Sequence, residues 1–519
     1  MPNTMRQAGA NIMDSLSLKQ KIAQMVIVRA SGFSLDHQRL YPQWELDNQL
    51  LEDLITNYGI GGIILVGGSV AEVKQRTNHW QSLTKIPLFI CADVEEGVGQ
   101  RFAGAVRFPP PMALAEIWQK DRQLALNLAE QMGRITACES LAIGINWLLA
   151  PVADVNSNPH NPVINVRSFG TTPLQVSELT CAFHKGAHTY PILTTAKHFP
   201  GHGNTAIDSH LLTPIIHSDR QHFFDIELPP FQALISQGID SIMTAHLIAE
   251  AWDQENIATF SCKIVQGLLR DELGFNGLII TDALVMGGVG KLSSAEMAIK
   301  AIQAGVDMLL MPPDAIATVQ AIYSAVTEGI ISEARIEQSF TRIMQAKHKL
   351  NDSYTISEFQ ILGNAQHNLC STTIAYHSLR YYLPHNQPIN TTDTLHLFCS
   401  DRPHQSDSMI QQLLYPLPPI PVDERILNYL DLADMPPVLL EISSRGNPFR
   451  GTAGWQAELE DFITRLVALG KLRLIILYGS PYNLERLLSL LNPAIAWGFA
   501  YSELARKAIL EKLLLLEIM

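Results

Sequence analysis

The densest run of reactive side chains is KHFPGHGNTAIDSH, residues 197–210, with Lys197, His198, His202, Asp208 and His210 inside fourteen positions. Asp208 and His210 stand two apart. At that spacing a looped backbone lets the carboxylate accept a ring N–H, which fixes the imidazole tautomer and strengthens it as a base. Gly201 and Gly203 permit tight turning and Pro200 stiffens the entry, so the run reads as a strand end passing into a structured loop. An incidental D-x-H on a surface turn is the plain alternative. In ITDALVM (280–286), Asp282 sits where an apolar run stops. It could attack an electrophilic carbon, hold a cation or cap the next helix.

Other polar residues stand at similar boundaries. ADVEEGVGQRF supplies Asp93, Glu95, Glu96 and Arg101, with a solvated acidic loop as the bland reading. Asp154 precedes NSNPHNPVINVRSFG (156–170), where Arg167 is either part of a plain turn or an anion clamp. His246 stands next to last in SIMTAHL (241–247). Any one of these is most simply a helix cap or a satisfied strand-end group, but several together point to a site.

What could bring them together is the pattern of elements. Eight short apolar runs, at 22–30, 60–67, 87–93, 145–155, 194–201, 241–247, 277–284 and 306–313, alternate with segments of helical periodicity. Strands that are continuously apolar rather than alternating are buried on both faces, which predicts a closed parallel (β/α)₈ TIM-type barrel over residues 1–350. An open doubly wound sheet is the alternative, weakened by the lack of G-x-G-x-x-G after the first run. In a barrel the C-terminal strand ends share one face, so Asp93, Asp154, Lys197, His198, His246 and Asp282 would meet there. Residues 351–390 read as a linker. Runs at 395–400, 437–442, 472–480 and 494–500 then predict a smaller α/β sandwich domain over 391–519, with PLPPIPVDER (416–425) as an internal loop.

Composition limits the partners. The formal charge of −13 and the lack of any basic run argue against nucleic acid. The six cysteines have no C-x-x-C spacing, as expected of reduced thiols. No secretory leader and no run of 18 apolar residues is visible, so a soluble, cytoplasmic, monomeric protein without a membrane partner is expected.

Taken in order, DVEEGVGQRF, DVNSNPHNPVINVRSFG, KHFPGHGNTAIDSH, MTAH and TDALVM resemble the successive signatures of glycoside hydrolase family 3, in its β-N-acetylglucosaminidase branch. GSPYNL (479–484) and FAYSELARKAILEKLL resemble that family's second domain. The resemblance implies a retaining exo-glycosidase in which Asp282 is the nucleophile, His210 the acid/base and Asp208 its partner. It also implies sugar contacts from Asp93, Arg101, Arg167, Lys197 and His198, a terminal N-acetylglucosaminide as substrate, with peptidoglycan-derived muropeptides as its source, and no metal or organic cofactor. The family's β-glucosidases usually lack the D-x-H loop and draw their acid from the second domain. Three positions depart from the pattern: the usual D-Q-E-G-G reads Asp93, Val94, Glu95, Glu96, Gly97, and Asn165 stands where a glycine precedes x-R-S-F-G. Three other readings stay open: a family 3 glycosidase of the β-glucosidase type, a metal-dependent barrel hydrolase with His198, His202, His246 and Asp282 as ligands, and a catalytically silent sugar-binding protein.

Overall fold

The structure is a computed structural model describing residues 16–350, 359–382, 393–400, 420–422, 427, 430–444, 457–491, 494–499 and 502–515. Eight parallel strands form the first domain: β1 (Val26–Ala30), β2 (Gly62–Leu65), β3 (Phe89–Ala92), β4 (Trp147–Leu148), β5 (Leu193–Phe199), β6 (Ser241–Thr244), β7 (Leu278–Thr281) and β8 (Leu309–Leu310). Their order is β7-β6-β5-β4-β3-β2-β1-β8, and a parallel bridge between Ile280 and Met308 brings β7 back to the start of β8. The closed barrel predicted from the eight apolar runs is thus formed, with every residue of these strands buried.

Side chains fill the barrel. Trp147 of β4 crosses it, donating Nε1–H to Thr195 Oγ1 (2.8 Å) and Ser241 Oγ (3.1 Å), and meets Phe89 edge-on at 4.8 Å. These contacts identify the inward rows, and the strand register extends them upward to Asp93, Lys197 and Asp282. At the opposite end Asp307 is ringed by Arg270, Arg335 and Arg342. Nearby, the buried Lys347 donates to Gln24 Oε1 (2.7 Å) and Gly61 O (3.0 Å) and lies over the Phe89 ring. The covering helices begin on capping residues: Thr172 with Pro173 at the first turn, and Ser293 with Glu296 in a reciprocal capping box.

The second domain is a six-stranded sheet: β9 (Arg380–Tyr382), β10 (Leu395–Ser400), β11 (Ile420–Val422), β12 (Val438–Ser444), β13 (Leu472–Gly479) and β14 (Ile495–Gly498). The order is β9-β14-β13-β12-β10-β11, all parallel except β9. Alternate residues face two cores. Leu440, Ile442, Ile475 and Leu477 pack with Leu459, Phe462 and Leu466 of helix Ala457–Ala468. Leu439, Leu474 and Ile476 pack with Ala505, Ile509 and Leu513 of helix Glu503–Leu515. This is the expected α/β sandwich.

Two segments differ from the sequence reading. Within the expected linker, Ala365–Ser378 is a helix packed on barrel helices, where His367 Nδ1–H meets Glu139 at 2.9 Å, and β9 joins the sheet edge. Within PLPPIPVDER, residues 420–422 form β11; Pro421 lacks an N–H, and an edge strand is where a sheet tolerates that. Among the described residues no helix is long and apolar enough to cross a membrane, and all six cysteines are free thiols.

Candidate active site

The strand ends meet in a buried ionic floor. Lys197 Nζ, on the inward row of β5, lies 2.7 Å from Asp93 Oδ1 and 2.7 Å from Glu95 Oε1. Arg167 donates Nε–H and an Nη–H to the two oxygens of Glu95, each at 2.8 Å, and a third N–H to Val163 O. This planar, two-point pairing fixes the guanidinium of an otherwise irregular loop. Burial pushes Glu95 upward, but Arg167 and Lys197 outweigh it and hold its carboxyl well below the ordinary range. Burial likewise works against the charge on Lys197, while Asp93 and Glu95 raise its pKa on balance. Arg101 donates Nε–H to Asp93 O at 3.1 Å, bounding the floor on the β3 side.

Asp154 organises the next layer. Fully buried, it accepts the backbone N–H of His198 on both oxygens, the His198 Nδ1–H at 2.7 Å and the backbone N–H of His202 at 2.7 Å. The carboxylate therefore fixes the His198 tautomer, with Nε2 on the ring's other side. His202 bonds Thr205 Oγ1 (2.8 Å) and Ser209 Oγ (2.9 Å) through its two ring nitrogens, and burial pulls it down to about 4. It is a neutral brace holding the two ends of the loop together. The close packing needs glycine: a Cβ on Gly203 would overlap the Val155 carbonyl, and Gly201, at φ 124°, presses against Glu227. The Lys197–His198 and Phe199–Pro200 peptide bonds are cis.

Asp282 follows β7. Burial raises its pKa, but His198 and His246, the Ala283 N–H at 2.7 Å and His210 together hold it below the ordinary aspartate value, so it is ionised near neutral pH. His246 bonds Thr259 Oγ1 (2.9 Å) and Ala283 O (3.2 Å), and burial lowers its pKa. In the D-x-H segment Asp208 Oδ1 accepts both the backbone N–H and the Nδ1–H of His210, each at 2.8 Å. That segment is tied to the chain just beyond Asp282: Gly288 N–H donates to Ser209 O and Gly287 N–H to His210 O. A paired carboxylate and imidazole therefore lie within electrostatic reach of an ionised aspartate, over a floor in which two buried carboxylates balance two buried cations.

The profile of the glycosyl hydrolase family 3 N-terminal domain matches residues 17–346. The chain belongs to glycosyl hydrolase family 3. The bacterial C-terminal domain of the same family matches residues 419–515. Beta-hexosaminidase A of Pseudoalteromonas piscicida is 34% identical over 361 residues, covering 63% of this chain and 60% of that protein. Beta-hexosaminidase of Nitrosomonas eutropha is 36% identical over 300 residues, covering 55% of this chain and 85% of that one. The chain thus spans less than two thirds of the first relative and most of the second. A family 3 beta-N-acetylglucosaminidase from a Paenibacillus species superposes with a TM-score of 0.83 at 26% identity, covering 97% of both chains.

Within this family 3 framework the sequence departures have physical accounts. Glu96 is buried and paired with Arg107 (3.1 Å), and Val94 is buried, so the loop's extra charge is neutralised by Arg107 rather than added to the floor. Asn165 adopts φ 42°, the left-handed region that asparagine enters more readily than other residues with a Cβ. Its N–H is held by Asn156 Oδ1 at 2.9 Å. Asn156 in turn donates to Tyr482 Oη of the second domain at 2.6 Å, so that domain reaches the loop carrying Arg167. Of the expected site residues, Asp93, Arg101, Arg167 and Lys197 are linked through the floor, His198 is held by Asp154, and Asp208 and His210 sit on the loop tied to residues 287 and 288, a few positions beyond Asp282. Glu95 and Asp154 carry more of the arrangement than the sequence suggested: neither is a solvated loop residue or a simple cap.

Proposed function

We propose that this chain is a retaining β-N-acetylhexosaminidase that releases terminal β-linked N-acetylglucosamine, with peptidoglycan-derived fragments as its substrates and a monomer in the cytoplasm as its working form. The observation that carries the proposal is the ionised Asp282 beside the Asp208–His210 pair, whose loop is anchored to residues 287 and 288. The relatives named beta-hexosaminidase support the same substrate class.

In the first step Asp282 attacks the anomeric carbon, forming an ester to the sugar as the glycosidic C–O bond breaks. Protonated His210 gives its Nε2 proton to the departing oxygen. Neutral His210 then takes a proton from water, which attacks the same carbon and frees Asp282; two inversions give net retention. Asp208 holds the imidazole in the tautomer that presents Nε2. Lys197 has three N–H donors and uses two on carboxylates, leaving one for a sugar hydroxyl, while Arg101, Arg167, Asp93 and His198 complete the polar wall. None of these steps calls for a metal ion or organic cofactor.

The metal-hydrolase reading finds less support, since His202 and His246 each commit both ring nitrogens to protein partners. No three His, Cys, Asp or Glu side chains are gathered for a metal among the described residues. The test is hydrolysis of the N-acetylglucosaminide, glucoside and xyloside of one aglycone. The first should be cleaved fastest; a faster glucoside moves the chain to the β-glucosidase branch, and no turnover of any makes it a silent binder.

A further inference from the structure

At the mouth of β1 stands an arginine that the floor does not use. Arg29 pairs in register with Ile64 of β2, which pairs with Cys91 of β3, so it occupies an inward row one step below Asp93. It is 8% exposed, and its Nε has no hydrogen-bond partner. Its charge is balanced at 3.4 Å by Glu45. Over the guanidinium lie two aromatic rings, Tyr41 at 4.6 Å and Trp44 at 5.7 Å, themselves stacked at 5.9 Å with planes 24° apart. A cation behind a pair of rings fixes their tilt.

The rings belong to the loop between β1 and the helix beginning at Asn48, and that loop is braced. Leu46 N–H donates to Arg29 O, while Glu45 accepts from the Tyr41 N–H at 3.2 Å and its carbonyl accepts from Arg39. Even so, Tyr41 remains 41% exposed beside Leu40 at 57%. The location is also specific. A Cβ placed on Gly67, just past β2, would meet Leu40 Cδ1 at 3.2 Å and lie 4.0 Å from Arg101 O, and Arg101 is the residue bonded to Asp93. Leu40, the residue before the exposed Tyr41, therefore lies near the rim of the sugar floor on its Arg101 side, while Trp44 is half-buried against the core beneath Tyr41.

Resting on the glycosidase reading above, the geometry points to Tyr41 and Trp44 as a stacking platform for the pyranose ring of the leaving group, held in place from behind by Arg29. The buried floor of Lys197, Asp93, Glu95 and Arg167 suits the hydroxyls of the sugar being transferred. The ring on the other side of the scissile bond must lie toward the rim, where its apolar C–H face meets the electron-rich face of an aromatic. Glu45 is occupied by Arg29 and the loop backbone, so the platform presents ring surface rather than charge.

The experiment compares kcat/KM for N,N′-diacetylchitobiose, whose leaving group is a pyranose, with that for N-acetyl-β-glucosaminyl fluoride, whose leaving group has no ring. Both are measured on the full chain, in wild type and in Tyr41→Ala, Trp44→Ala and Tyr41→Phe. The disaccharide-to-fluoride ratio should fall about ten-fold in each alanine variant, mainly through KM, the scale of a lost ring contact. It should hold in Tyr41→Phe, which keeps the ring. Because the ratio is taken within one preparation, the folded fraction cancels. An unchanged ratio in both alanine variants overturns the platform while leaving the glycosidase reading intact. A wild type that cleaves neither compound overturns the reading itself, and the platform with it.

Discussion

Glu95→Gln removes one charge from the middle of the floor and preserves its shape. The native cluster balances Asp93 and Glu95 against Lys197 and Arg167, with separations of 2.7–2.8 Å and Glu95 only 4% exposed. After the substitution one carboxylate faces two buried cations. Breaking a buried pair by removing one partner costs about 3–5 kcal/mol, and the retained amide oxygen recovers about 1 kcal/mol of that. A loss of about 3 kcal/mol is expected, roughly 150-fold in the folded-to-unfolded ratio. Urea unfolding followed by tryptophan fluorescence reads it as a lowered midpoint. The pH dependence supplies a sign. The Glu95 carboxyl is held well below its ordinary value, so its contribution is complete above the unfolded glutamate pKa of about 4.3 and is lost as pH falls through the folded value. The gap between wild type and variant should therefore narrow from pH 6 toward pH 3. A gap under about 0.5 kcal/mol at pH 6, typical of an ordinary surface substitution, would refute the reasoning, as would one that does not narrow in acid.

His210→Ala should lower steady-state turnover by about 10²–10⁴-fold, yet an aryl substrate with a good leaving group should still give an initial burst, because that departure needs no proton. Stopped-flow release of the aryl group checks this, and a missing burst would give His210 another role. Burial pulls Lys347 down to about 7, whereas in the unfolded chain it titrates near 10.4. Between those values the unfolded chain binds the extra proton, so wild-type stability should rise with pH by roughly 1.4 kcal/mol per unit from this group. Lys347→Met should lack that rise, and equal slopes in urea titrations at pH 7 and 9.5 would contradict it.

The barrel was legible because strands buried on both faces are apolar throughout, and that needs no tertiary knowledge. The pairing of Lys197 with Asp93 and of His198 with Asp154 followed once strand ends were assumed to share a face. What stayed hidden depended on partners distant in sequence. Glu95 reads as part of an acidic loop until Arg167, 72 positions on, folds over it. Asp154 reads as a cap until β5 brings the backbone and ring of His198 against it. Arg29 carries no local signal, since its position depends on strand register and the rings above it on how the following loop folds. Strand β11 was hidden by Pro421, which reads as a turn residue but is tolerated at a sheet edge.

The most direct test of the account is to trap the sugar on the protein. A 5-fluoro N-acetylglucosaminyl fluoride, which slows the second displacement more than the first, should add the mass of one glycosyl unit to the peptide containing Asp282, and none should appear in Asp282→Asn. A glycosyl unit on any other residue would contradict it.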